Sequence, residues 1–113
     1  MSTSNDLKLE PKELNFTLAG GTSKVQLENT TDHRLALKIK TTNNDKYRVD
    51  PIYSFVEPQG SKEFEVLRFE GGEHNTDKLI FVYSEVDTSV QDATAHFQKE
   101  GIVFSRQVIP LKA

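Results

Sequence analysis

The chain has 113 residues, 35% of them hydrophobic, and a formal net charge of −3 from 17 acidic and 14 basic residues. At roughly 100–200 residues per domain, this length fits one domain. The near balance of charges argues against a nucleic-acid partner, and the absence of cysteine excludes disulfides and thiol nucleophiles. No apolar run approaches the roughly 20 residues that span a bilayer, so we expect a cytoplasmic protein without membrane insertion.

The first predicted strands show alternation of apolar and polar residues. Residues 1–6 are expected to form a flexible tail, and residues 7–113 to form the single domain. In residues 35–41, Leu35, Leu37 and Ile39 alternate with Ala36, Lys38 and Lys40. This pattern predicts a half-buried strand with one face in water. The same alternation predicts strands around Val25 and Leu27, and around Phe64 and Val66.

Two later segments depart from this alternation. Leu79 to Tyr83 is continuously apolar, which is typical of a strand covered on both faces or of one whose second face meets a partner. Ser89 to Gln98 is expected to be a loop with one helical turn, beginning at Ser89, which is able to cap it.

Turn-forming residues separate the apolar segments at short intervals, as in Asn43-Asn-Asp45 and Pro58-Gln-Gly60. About seven short strands therefore follow one another. This pattern predicts an all-β protein, an immunoglobulin-like β-sandwich, with a small barrel as the alternative. Pro11 and Pro51 stand beside strands, and trans peptide bonds are the default before them.

One long segment and three shorter ones resemble a known family. The segment from Arg34 to Pro51, RLALKIKTTNNDKYRVDP, resembles the signature of the major sperm protein (MSP) domain: Lys-Thr-Thr, a turn, and a strand ending in Val-x-Pro. LKLEPKELNF near the start, DKLIFVYS at residues 77–84 and HFQKEGIVFSRQVIPL at residues 96–111 agree with it. The resemblance covers nearly the whole chain and is closest to small nematode sperm-specific proteins.

The resemblance implies a fold and a cellular setting. The fold is a seven-stranded, PapD-like immunoglobulin sandwich, in which cis prolines occur at positions that match Pro11 and Pro51, so that cis and trans are equally expected there. The setting is the sperm cytoskeletal or signalling machinery, with other proteins as partners.

The residues give little support to an enzyme. His33, His74 and His96 are far apart in sequence, lack a metal-binding spacing, and are expected to be ordinary surface residues. The chain contains neither a Gly-x-Ser-x-Gly elbow nor a phosphate-binding glycine loop. We therefore expect no catalytic residues, no metal and no cofactor.

The strongest candidate for a binding site is the strand that carries Lys38 and Lys40. Alternation places these two lysines on one face, and the hydroxyls of Thr41 and Thr42 follow at its end. Such a face suits an acidic ligand. The alternative is that the lysines are simply solvated and discourage aggregation at a sheet edge.

The resemblance extends this candidate site. Membrane-anchored relatives use a Lys-x-Lys-Thr-Thr strand to bind short acidic peptides carrying a phenylalanine, and Lys78 and Ile80 match a second basic position and an apolar pocket residue. Phe104 stands where those relatives have a lysine, and Arg106 follows two residues later, on the same face. The resemblance thus implies a peptide-binding groove with altered or weaker specificity.

Two functions follow from these expectations. The first is a non-enzymatic module, monomeric or weakly dimeric, that binds acidic peptide motifs or other MSP-family proteins. The second is a structural subunit of the nucleotide-independent filament that drives sperm motility, for which the stripe from Leu79 to Tyr83, together with Phe104, is the candidate self-association surface.

Overall fold

Two β-sheets lie face to face across one apolar core in the computed structural model, which describes residues 6–113. The strands are β1 (Leu7–Glu10), β2 (Leu14–Asn15), β3 (Gly21–Asn29), β4 (Arg34–Thr41), β5 (Tyr47–Asp50), β6 (Tyr53–Val56), β7 (Ser61–Arg68), β8 (Thr76–Val86) and β9 (Ser105–Lys112). One short helix, α1 (Ala93–Phe97), lies between β8 and β9. The order is β1-β3-β7-β5 in the four-stranded sheet and β2-β9-β8-β4-β6 in the five-stranded sheet.

The immunoglobulin-like sandwich is confirmed, and the barrel alternative is wrong, because the strands form two separate sheets. The expected count of seven is also wrong, because residues 6–113 contain nine strands. The chain passes from one sheet to the other between β1 and β2, near Pro11, and between β5 and β6, near Pro51, and each passage begins a new strand. Proline lacks the N–H that a strand ladder needs. Both peptide bonds that precede these prolines are cis.

The core consists of the inward side chains that the period-two pattern predicts. Val25 and Leu27 on β3, and Phe64 and Val66 on β7, are fully buried. Phe64 meets Phe81 of the opposite sheet edge to face, with 5.8 Å between ring centroids. The outward neighbours of these four residues include Lys24 and Gln26 on β3 and Glu63 and Glu65 on β7, so alternation assigns the two faces of these strands.

Strand β8 occupies the centre of the five-stranded sheet, between β4 and β9. Leu79, Phe81 and Tyr83 face the core, while on the opposite face Val82 is buried and Ile80 is half-buried. The apolar run is thus a central strand covered on both faces, and most of it is unavailable to a partner.

The segment after β8 folds back over the outer face of the five-stranded sheet. Helix α1 packs on β4 and β6, and the rings of Phe97 and Tyr53 lie 6.3 Å apart. Ala36 is therefore buried, contrary to the expectation that this face of β4 is entirely wet. The cap is Asp92 rather than Ser89, because the Asp92 carboxylate accepts from the Ala95 N–H at 3.2 Å.

The N-terminal strand is joined to β9 through one side chain. The Gln107 amide accepts from the Leu7 N–H and donates to the Leu7 carbonyl, both at 3.0 Å. Asp6 accepts a hydrogen bond from the Tyr83 hydroxyl at 3.2 Å. The rest of the expected flexible tail, residues 1–5, lies outside the described residues.

Candidate functional site

A groove of about 310 Å³ lies on the outer face of the five-stranded sheet. Its floor is formed by sheet residues, and its wall by the last residue of α1 and the segment that follows it. The lining residues are Lys38, Lys40, Val82, Phe97, Lys99, Gly101, Ile102, Phe104 and Arg106. We call residues 97–104 the wall segment.

Strand register explains why the floor residues meet. Lys38 of β4 pairs with Val82 of β8, and Val82 pairs in turn with Arg106 of β9. Directly opposed residues in a sheet project to the same face. Two cations therefore flank one apolar side chain, although they are far apart in sequence.

The electrostatics of the groove are one-sided. Its lining includes four cationic side chains, those of Lys38, Lys40, Lys99 and Arg106, and no acidic one. Among residues 6–113, none of these four has a carboxylate oxygen within the 4.0 Å of an ion pair. None of the four is therefore held in an ion pair within the described chain, and their positive charge favours a ligand that brings negative charge.

The two threonines lie apart from the lysines. Thr41 continues the inward-facing row of β4, and its hydroxyl accepts from the Asn43 N–H at 2.8 Å. The Thr42 hydroxyl accepts from the Lys78 N–H at 2.9 Å and donates to Asp77 at 3.4 Å. Both hydroxyls thus hold the turn after β4, and neither lines the groove.

Lys78 and Ile80 share the outer face of β8 but are not among the residues that line the groove. Ile80 pairs with Lys40 on one side and Val108 on the other, and it lies two residues before Val82 on the same face of the strand. Lys78 lies opposite Pro110, farther from the wall segment. Lys78 thus extends the basic face beyond the groove, and Ile80 extends its apolar floor.

Phe104 and Arg106 both line the groove, as expected for residues that share a face. Phe104 lies just before β9 rather than in it, and 53% of its surface is exposed. An aromatic ring thus occupies the position where the resemblance implies a lysine, and Arg106 supplies the nearest charge on β9.

Sequence reasoning missed Val82, Phe97, Lys99, Gly101 and Ile102 as groove residues. Four of them belong to the wall segment, whose position depends on α1 packing against β4 and β6. A period-two pattern carries no information about that contact. The one available signal was Asp92, a good N-cap residue three positions before Ala95, which marks where the helix begins.

The expectation that all three histidines lie at the surface is wrong for His96. His33 and His74 are exposed, but only 9% of the His96 surface is accessible. His96 Nε2 lies 2.9 Å from the hydroxyl of Ser84, which donates to the carbonyl of Val103 at 2.8 Å. Burial and the nearby Lys99 ammonium hold the pKa of His96 below its ordinary value of 6.5.

This serine–histidine pair lacks the arrangement of a catalytic dyad. The Ser84 proton is committed to a backbone carbonyl, and no carboxylate among the described residues bonds the second nitrogen of His96. Within residues 6–113, no group of three metal-ligating side chains is close enough together to hold an ion. No helix in that range has the length and apolar character needed to cross a membrane.

Comparison with known proteins agrees with this fold. Residues 6–102 match the MSP (major sperm protein) domain family. The chain is 39% identical to sperm-specific class P protein 32 of Caenorhabditis elegans over 92 residues. These aligned residues cover 81% of this chain and 85% of that protein.

Solved structures agree as well. The chain is similar to WR4, a C. elegans MSP family member, with a TM-score of 0.89, 31% identity and coverage of 97% of this chain and 99% of that one. The PapD-like domain 7 of human CEP192 shares the fold alone, with a TM-score of 0.63 and 12% identity over 99% of this chain and 87% of that one. The chain belongs to the MSP domain family.

Proposed function

We propose that this protein is a non-enzymatic interaction module that binds an acidic segment of a partner protein in the basic groove. The observation that carries the proposal is the set of four cations without an acidic neighbour in the lining. Clustered basic side chains recognise acidic motifs through charge complementarity, which also speeds the encounter of the two partners.

The apolar residues of the groove support a peptide that also carries an aromatic side chain. Phe97, Ile102 and Phe104 line the wall, and Val82 lies in the floor between two cations. An aromatic ring placed there packs against apolar surface while neighbouring carboxylates meet the basic rim. Since Phe104 replaces the implied lysine, we expect an acidic ligand to bind more weakly than in the membrane-anchored relatives.

The proposal places the protein in the cytoplasm of nematode sperm, as a monomer or weak homodimer. Its relatives support the placement in sperm, because several of them are named sperm-specific class P proteins. Acidic motifs of other proteins, those of the MSP family included, are the proposed partners.

A titration followed by NMR tests the proposal. We expect an acidic, phenylalanine-containing peptide to shift the amide signals of Lys40, Arg106 and the wall segment, in proportion to occupancy. A peptide of the same length with glutamine in place of each acidic residue serves as the control. Unmoved groove signals at saturating peptide, or equal shifts with both peptides, contradict the proposal.

The filament subunit stays as a second candidate because of one feature at the surface. Val103 and Phe104, just before β9, and Val108, within it, have 85%, 53% and 46% of their surface exposed. Large exposed apolar residues favour association between copies. Light scattering across a wide concentration range tests this function: growth of the mass beyond a dimer supports it, and a mass fixed near 12.8 kDa contradicts it.

A further inference from the structure

The wall segment is fastened to the five-stranded sheet through a buried three-residue connection. Ser84 of β8 donates its hydroxyl proton to the Val103 carbonyl at 2.8 Å, and its oxygen lies 2.9 Å from His96 Nε2. Ser84 is 4% exposed and His96 9% exposed. One serine thus joins the end of α1 and the end of the wall segment to the central strand.

This connection fixes the tautomer of His96. A serine hydroxyl has a single proton to donate. Because that proton goes to Val103, the Ser84 oxygen must accept from His96, so that Nε2 carries the ring proton and Nδ1 is bare. Nδ1 is buried and has no hydrogen-bond partner among the described residues.

Protonating His96 therefore adds an N–H group at a position without an acceptor. A buried, unpaired charged donor is among the more costly defects in a folded protein. The charged and titratable groups on the elements around His96 are Asp92, Lys99 and Glu100 on its own segment, Glu85 on β8, Arg34, Lys38 and Lys40 on β4, Tyr53 on β6, and Asp6 in the cavity beside it. No bond joins any of these groups to Nδ1.

We propose that His96 is a proton-sensitive latch for the groove: neutral His96 holds the wall segment on the sheet, and protonated His96 releases it. Release removes Phe97, Lys99 and Phe104 from the groove and weakens ligand binding. The latch stands on the contacts of His96 alone, whereas its effect on a ligand rests on the proposed function.

The direction of the effect follows from linkage. The pKa of His96 is lowered in the folded protein, chiefly by burial, so the released form binds a proton at a higher pH than the latched form. The latch is therefore fully stable above pH 6.5 and weakens as the pH falls from 6.5 toward the lowered pKa. In that interval the population of the released form rises by at most about tenfold per pH unit, as expected for one proton.

Two measurements on the unmodified protein test the latch. The ring nitrogen and carbon signals of His96 report its tautomer and its titration by NMR. Hydrogen exchange of the Gln98 and Lys99 amides, which donate to Ala95 and His96 carbonyls, reports opening of the wall segment. We expect the Nε2–H tautomer, a pKa below 6.5, and protection factors that fall by up to about tenfold per pH unit below pH 6.5. The other tautomer, a pKa of 6.5 or above, or protection independent of pH overturns the proposal.

Variants separate the latch from a general effect of acid. His96→Gln keeps an N–H donor but does not titrate, so we expect it to abolish the pH dependence of wall-segment exchange. His74→Gln is the matched control, because His74 is exposed and lies outside the groove, and we expect it to keep that dependence. A pH dependence that persists in His96→Gln, or one that disappears equally in both variants, contradicts the latch. If His96→Gln does not fold, the titration of the unmodified protein decides the question.

Peptide binding measured above and below pH 6.5 separates the latch from the proposed function. In the unmodified protein we expect the acidic peptide to bind more weakly at the lower pH. In His96→Gln we expect the peptide affinity to be the same at both pH values. Absence of binding at every pH, together with pH-dependent exchange, rejects the proposed function and leaves the latch intact. Peptide binding together with hydrogen exchange that does not depend on pH rejects the latch and leaves the proposed function intact.

Discussion

Reversing one charge in the groove gives the sharpest prediction. Lys40 lies on the outer face of β4, is exposed, and has no carboxylate within 4.0 Å among the described residues. Its charge is thus available to a ligand rather than engaged within the described chain. Lys40→Glu replaces an attraction to an acidic peptide by a repulsion.

The magnitude follows from the exposure of the side chain. A contact between exposed charges contributes about 0.2–1 kcal/mol, and the repulsion introduced by the reversal is of similar size. Binding should therefore weaken by about 0.4–2 kcal/mol, which corresponds to a Kd about 2–30 times larger. The free energy of unfolding should change by no more than about 0.5 kcal/mol, as is usual for a surface site.

Isothermal titration calorimetry with an acidic, phenylalanine-containing peptide measures this change. The matched control is Lys8→Glu, which alters the net charge equally but lies exposed on β1 of the other sheet. We expect the control to change Kd by less than about twofold, since the charge it alters is remote and screened by salt. If Lys40→Glu binds no more weakly than Lys8→Glu, the placement of the site is wrong.

Three further substitutions test the groove and the fold. Phe104→Lys adds a fifth cation, and calorimetry should show acidic-peptide affinity rising by about 1 kcal/mol, or about fivefold; equal or lower affinity is the contrary result. Asn29→Ala removes a fully buried amide that donates to three carbonyl oxygens and accepts from two donors. The free energy of unfolding, measured in urea, should fall by about 2–4 kcal/mol. A loss under about 1 kcal/mol would show that these bonds do not stabilise the fold. Gly20→Ala should lower the free energy of unfolding more than Gly101→Ala does. Both glycines have a positive φ, but of the two only Gly20 would place a Cβ against a backbone oxygen, 2.5 Å away. Equal losses in urea unfolding would show that this contact relaxes.

Much of the sandwich was predictable because strands such as β1, β3, β5 and β7 bury every second residue. Leu35, Leu37 and Ile39 face the core as the alternation requires, and Lys38 and Lys40 face the groove. This information is local, so it can be read without knowing which strands pair.

The errors arose where position depends on distant contacts. The strand count failed because nothing in the local pattern shows that one extended segment passes between two sheets. Lys99 and the burial of His96 were missed because both depend on α1 folding back over β4 and β6, and on the connection to Ser84. Contacts made by a loop that folds back over a sheet leave no regular spacing of residues in the sequence.

The central claim is that an acidic peptide occupies the groove, and intermolecular nuclear Overhauser effects test it most directly. With the peptide at saturation, the account predicts contacts between the phenylalanine ring of the peptide and the methyl groups of Val82 and Ile102, which line the groove on its floor and its wall. Contacts to the four-stranded sheet instead, or none to these two residues, would contradict it.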